Sequence, residues 1–327
     1  MSRPLQALRH LAPGWYAIVM GLAGLALAWH QAARTLGTAA EGVALVLAAL
    51  AALAFGALAV ATVLRGLHHA EAWAEDRRHP VRHTFVATLP ISMILLATLA
   101  VTLFGAHPLA AALWWAGALA QAWVTWWVLG RWWAALPWAS VTPALFIPVV
   151  GNVLVPLAGV PLGFETWSAA QFGVGLLFWP VVTVLLFVRI ASHGPWPERL
   201  KPTVFILIAP PAVVGLAALR FGAPPLVAWM LWGAALFTLA WVGKEARAIA
   251  AMPFSMPHWA LSFPLAALAA LTLRLAEPGS VTAIGGLALL ALASLVVAAL
   301  ALGTLRGLRD GTLLVPEPVA AIKPAAA

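Results

Sequence analysis

The sequence predicts an all-α integral membrane protein of ten transmembrane helices, on three observations. Of its 327 residues 64% are hydrophobic and 9% charged, against roughly 25% charged in an ordinary soluble domain, so the chain cannot cover a globular surface with polar groups. Apolar runs of about 20 residues recur along its whole length, each long enough to cross about 30 Å of hydrocarbon as a helix. Stretches such as 42–61 lack the alternating polarity of a barrel strand.

Taken in order, the spans fall at about 12–30, 40–66, 84–104, 108–129, 141–161, 167–191, 203–219, 225–242, 259–275 and 280–303. The first follows Arg3 and Arg9 as a signal peptide would, but its apolar stretch is longer than an h-region and reads as an uncleaved helix. Between the second and third lies the longest polar stretch, Arg65 to His83. The fourth and the loop after it hold Trp114, Trp115, Trp123, Trp126, Trp127, Trp132, Trp133 and Trp138, residues suited to the membrane interface or to a subunit contact. No linker divides the chain. Residues 1–11 read as a cytoplasmic N-terminus, 12–303 as one transmembrane domain and 304–327 as a cytoplasmic tail.

Orientation follows from the basic residues. With ten spans, one side receives 15 of the 18 lysines and arginines, and the other only Arg34, Arg220 and Arg274. The positive-inside rule then places both termini in the cytoplasm. This distribution also accounts for the net charge of +8, because basic residues scattered through short juxtamembrane loops suit topology and anionic headgroups rather than nucleic acid. Without cysteine there is no disulfide, thiolate metal site or cysteine nucleophile.

The odd spans begin roughly every 60 residues after a longer first interval, which suggests a repeated helical hairpin. They also share helix breakers: Pro90 in the third, Pro148 and Pro156 in the fifth, Pro210 and Pro211 in the seventh, Pro264 in the ninth, and Gly21 and Gly24 in the first. Among the even spans only the sixth has a comparable residue, Pro180. A proline removes a backbone donor and clashes with the preceding turn, so the odd helices are expected to kink or break near their middles. In lipid the freed carbonyls need another helix or water. Five broken helices alternating with mostly uninterrupted ones suggest an inner ring lining a path and an outer ring facing lipid.

Nine histidines raise a metal site, but His68, His69, His79 and His83 lie beside Arg77, Arg78 and Arg82, which would repel a cation. No phosphate loop, nucleophile elbow or paired carboxylate points to an enzyme, and no cofactor is implied. No charged residue falls in the middle of an odd span. Thr88, Ser92, Asn152 and Ser262 with broken backbone suit passive conduction better than a proton-coupled cycle.

The segments 79–82 (HPVR), 88–92 (TLPIS), 142–152 (TPALFIPVVGN), 202–211 (PTVFILIAPP) and 259–265 (WALSFPL) together resemble the tellurite-resistance and dicarboxylate transporter family. That family holds the bacterial TehA proteins and the slow anion channels of plant guard cells. The resemblance runs from about Gly14 to Arg309, more weakly at Gly14-Trp15-Tyr16. It implies five helical hairpins around a central anion pore, a homotrimer with one pore per subunit, and a bacterial inner-membrane location. It also implies a phenylalanine gate on the ninth helix, here Phe263. Pore-lining candidates are Gly21, Gly24, Pro90, Ser92, Pro148, Asn152, Pro210, Pro211, Ser262 and Pro264. The expected function is conduction or export of small inorganic or organic anions; the alternative is a secondary carrier of dicarboxylate, sulfite or tellurite.

Overall fold

The structure is a computed structural model that describes residues 6–134 and 136–315. Among these residues it is helical, with no strand. Its principal α-helices are α1 (Ala17–Leu36), α2 (Thr38–His68), α3 (Ala70–Arg78), α4 (Thr88–Phe104), α5 (Pro108–Gly130), α6 (Phe146–Val150) and α7 (Pro156–Gly159). There follow α8 (Glu165–His193), α9 (Ala209–Arg220), α10 (Pro225–Val242), α11 (Ala246–Ala250), α12 (Ser262–Leu275) and α13 (Val281–Arg309).

Eight stretches are long and apolar enough to cross a membrane: Pro13–Leu36, Thr38–His68, Arg82–Phe104, Glu165–His193, Glu198–Arg220, Pro225–Ala250, Met256–Leu275 and Val281–Arg309. Pro143–Gly159 is shorter. Helix α5, of 23 residues, has the length but is not among these eight. Helix is present at each of the ten intervals read from the sequence. The last helix continues six residues past the 303 boundary, to Arg309.

Burial alternates along the chain. In Pro13–Leu36, Arg82–Phe104, Glu198–Arg220 and Met256–Leu275, 56–78% of the most apolar window is buried, against 17–33% in Thr38–His68, Glu165–His193, Pro225–Ala250 and Val281–Arg309. The first set, together with Pro143–Gly159, which is buried at every residue, therefore packs inside the second. The turn after each inner segment is closed by a glycine at positive φ, namely Gly37, Gly105, Gly163, Gly222 and Gly279. A side chain with a Cβ is strained there, so a recurring glycine marks the tight return into the outer helix.

The mid-helix kinks take another form. Each inner segment starts as a 3-10 helix and changes to α-helix: 13–16 before α1, 82–87 before α4, 143–145 before α6, 198–208 before α9 and 256–261 before α12. Pro90, Pro210, Pro211 and Pro264 fall in the first turn of the α-helical part, where a missing N–H and a fixed φ are tolerated. At two junctions a hydroxyl reaches back three residues to a carbonyl: Thr88 Oγ1 donates to Phe85 O at 2.7 Å, and Ser262 Oγ to Trp259 O at 2.6 Å.

The segment 143–159 is the most broken, and α5 and α8 supply what its backbone lacks. Gln121 Nε2 donates to the carbonyls of Ile147 (3.3 Å) and Pro148 (3.0 Å), and Thr125 Oγ1 to that of Pro148 (2.6 Å). Gln171 Nε2 donates to Asn152 Oδ1 at 2.9 Å, while Asn152 Nδ2 donates to Thr125 Oγ1 and Val149 O. These bonds matter because an unpaired carbonyl at membrane depth costs several kcal/mol. Trp114, expected at the interface, is instead fully buried and donates Nε1 to Val155 O at 2.9 Å. Trp123, Trp126 and Trp133 are exposed, as an interfacial role requires.

The polar stretch between α2 and α4 is likewise ordered rather than a plain loop. It contains α3, whose buried Asp76 holds Arg65 (Nη1–Oδ2, 2.7 Å) and Arg82 (Nη1–Oδ1, 2.9 Å). Arg65 Nε also donates to Arg9 O at 3.2 Å, so one carboxylate ties the ends of two spans to the N-terminal segment.

Candidate functional site

Two cavities lie among the inner segments, and every inner segment lines both. The first, of about 980 Å³, is lined by His10, Arg82, Glu198 and Leu313, and by Met20, Ile91, Val150, Val213, Phe263 and Pro264. The second, of about 350 Å³, is lined by Leu27, Thr98, Leu157, Leu216 and Ala270, with Gln31, Arg220 and Arg274 among its polar residues.

Helical spacing aligns the two. Met20 and Leu27 on α1, Ile91 and Thr98 on α4, and Phe263 and Ala270 on α12 are each two turns apart, about 10 Å along one face. Val213 and Leu216 on α9 are separated by less than a turn, about 4.5 Å. The linings of the two cavities are thus separated by about 4.5–10 Å of helix, and Phe263, in the lining of the first, is 8% exposed.

The absence of a side chain at Gly24 makes room for that ring. A Cβ built there would lie 2.8 Å from Phe263 Cδ2, too close for a real contact. One turn earlier, a Cβ at Gly21 would collide with Ser262 Oγ. The two glycines of the first span thus let α1 approach α12 closely, and Phe263 occupies the space beside Gly24.

The other candidates are distributed as follows. Pro210 and Pro264 line the first cavity with Phe263. Pro90 turns its carbonyl toward Gly117 of α5, and Ser92 Oγ donates to Thr88 O (2.7 Å) and Tyr16 O (3.2 Å), joining α4 to the first segment. Pro148 and Asn152 belong to the hydrogen-bonded seam with α5 and α8, and Pro211 is buried at the start of α9. Met20, Ile91, Val150 and Val213 escaped sequence reasoning because an apolar residue facing a cavity looks like one facing a neighbour. Gln121 and Gln171 could have been found, since an amide inside an apolar run needs a partner.

Charge is confined to the cavity ends. At the first mouth His10 is held below the ordinary histidine pKa by burial and then by the charges of Arg9 and Arg65, so it is neutral at pH 7. Among the described residues no group of three or more His, Cys, Asp or Glu side chains could hold a metal ion.

The family described as SLAC1, voltage-dependent anion channel, matches residues 10–305. The chain is 26% identical over 267 residues to the tellurite resistance protein TehA homolog of Haemophilus influenzae, covering 79% of each chain. It is 24% identical over 298 residues to the uncharacterized transporter MJ0576 of Methanocaldococcus jannaschii, covering 81% of this chain and 84% of that one. Similarity to the S-type anion channel SLAH2 of Arabidopsis thaliana is 26% over 136 residues, 41% of this chain and 26% of the plant protein. The family match takes in all five segments that line the two cavities, and the chain belongs to the SLAC1 family.

Proposed function

We propose that the protein is an anion channel, or a channel-like exporter, of the bacterial inner membrane. In this reading ten helices cross the membrane as five hairpins, and the inner five surround one central pore. Residues 12–303, extended to Arg309, form the channel domain. The termini and the first cavity face the cytoplasm, and three subunits assemble with one pore each. Small anions move down their electrochemical gradient through a layer without fixed charge, which stabilises them too weakly to trap them.

The observation that carries the reading is that the same five segments line both cavities, with Phe263 in the lining of the first, two turns of α12 from Ala270 in the lining of the second. A ring there excludes both the ion and the water it would bring, so Phe263 is assigned as the gate. Gly21 and Gly24 give it room, and Pro210 and Pro264 shape the wall. Pro90, Ser92, Pro148, Asn152, Pro211 and Ser262 hold the broken helices behind that wall.

The test is anion flux into proteoliposomes. Uptake should follow the anion gradient and membrane potential, with no response to an imposed pH gradient once substrate protonation is excluded by varying the anion. Accumulation driven by the pH gradient alone would refute passive conduction and favour a secondary carrier of dicarboxylate or oxyanion.

A further inference from the structure

The three basic residues that depart from the charge bias are not scattered over their side of the protein. Arg220 is the last residue of α9, Arg274 lies in the last turn of α12, and both line the second cavity. Arg34, in the last turn of α1, donates Nη1 to the Arg274 carbonyl at 3.2 Å. All three guanidinium-bearing residues therefore stand at the same end of three inner helices.

Among the described residues no carboxylate is paired with them. Glu41, Glu165 and Glu277 fall on the same side, yet among the described residues none forms an ion pair with Arg34, Arg220 or Arg274. Arg220 and Arg274 are both exposed, and on Arg220 the charge of Arg274 acts after the effect of partial burial. A basic residue at a helix C-terminus complements the helix dipole, which accounts for an arginine on each helix. It does not account for two of them entering one cavity, where each raises the energy of the other.

An anion removes that conflict. The cavity, of about 350 Å³, also offers Gln31 and Thr102, whose amide and hydroxyl can donate, on otherwise apolar walls; Thr98 Oγ1 already donates to the Ile94 carbonyl. The planar guanidinium matches two oxygens of one oxyanion, which a spherical halide cannot reproduce. We propose that Arg220 and Arg274 form a binding site for a small oxyanion, of the nitrate or carboxylate kind, in the second cavity. Its role in recruiting anions for passage rests on the pore reading; the binding itself does not.

The experiment uses the full-length protein in two assays. In micelles free of anionic lipid, chloride resonance broadening by the protein should be reversed by nitrate, and both the broadening and the nitrate effect should fall in the Arg220→Gln/Arg274→Gln variant. Arg220→Lys/Arg274→Lys should keep the broadening and lose the advantage of nitrate over chloride. In bilayers of neutral lipid, on a Phe263→Ala background, the Gln variant should lower unitary current at least about threefold for nitrate entering from the arginine side at 0.01 M. The difference should vanish at 1 M, where the screening length falls from about 30 Å to about 3 Å. Unchanged broadening and nitrate displacement in a folded Gln variant would overturn the site. A silent Phe263→Ala protein in which the Gln variant still loses binding would overturn the pore reading and leave the site standing.

Discussion

Replacing Phe263 by alanine should open the proposed path, and the structure sets the size of the effect. To let an ion pass, the ring must leave the space beside Gly24, where it is 8% exposed. Giving up the burial of a phenylalanine costs about 1.5–3 kcal/mol. At about 1.4 kcal/mol for each factor of ten, Phe263→Ala should raise anion conductance between about tenfold and about a hundredfold. Currents are compared after size-exclusion chromatography confirms assembly, because truncating a packed phenylalanine also destabilises a protein by roughly 3–5 kcal/mol. Phe237→Ala, on the exposed face of α10, is the control and should leave conductance unchanged. The contact with Gly24 adds a coupling test. Gly24→Ala displaces the ring and should change conductance in the parent protein but hardly at all on the Phe263→Ala background, a non-additivity that a double-mutant cycle reads directly. A folded Phe263→Ala protein with parental conductance, or additive effects of the two substitutions, would refute the assignment of the gate.

Three further outcomes are expected. Asp76→Asn leaves the guanidiniums of Arg65 and Arg82 without their counter-charge and should lower stability by about 3–5 kcal/mol in detergent unfolding, whereas Glu75→Gln, in an exposed pair with Arg9, should cost about 1 kcal/mol or less; equal shifts would contradict the role given to the buried Asp76. Asn152→Leu removes the acceptor of one Gln171 Nε2 proton, leaving the bond to the Ala118 carbonyl, and should cost about 1–3 kcal/mol while unitary anion selectivity stays as it is, so a change of selectivity in a folded variant would return Asn152 to the ion path. Arg77→Cys, exposed on α3, should react with an impermeant thiol reagent only after cells are permeabilised, and labelling of intact cells would invert the topology.

Much of this architecture is legible in the sequence because membrane depth leaves few choices. Ten apolar intervals correspond to ten helical segments, and the spacing of Pro90, Pro148, Pro210 and Pro264 marks the segments that turn out to be buried. The form of the breaks is not legible, since a proline in a helix reads the same whether it bends the middle or opens the α-helical part after a 3-10 stretch. Pairings such as Gln121 with Pro148 and Gln171 with Asn152 join residues far apart in the chain, so neither partner announces the other. Phe263 stands out only through the resemblance of 259–265, for among 13 phenylalanines its apolar character distinguishes nothing. Arg220 and Arg274 enter the sequence reading as a topology count, and only the fold brings them to one cavity.

The central claim is that a continuous anion path runs between the two cavities past Phe263. Planar-bilayer recording of the purified protein, parental and Phe263→Ala, under a chloride or nitrate gradient tests it most directly. The account predicts discrete unitary currents that reverse at the anion equilibrium potential and grow in the alanine variant. Electrically silent, saturable exchange in both proteins would contradict it.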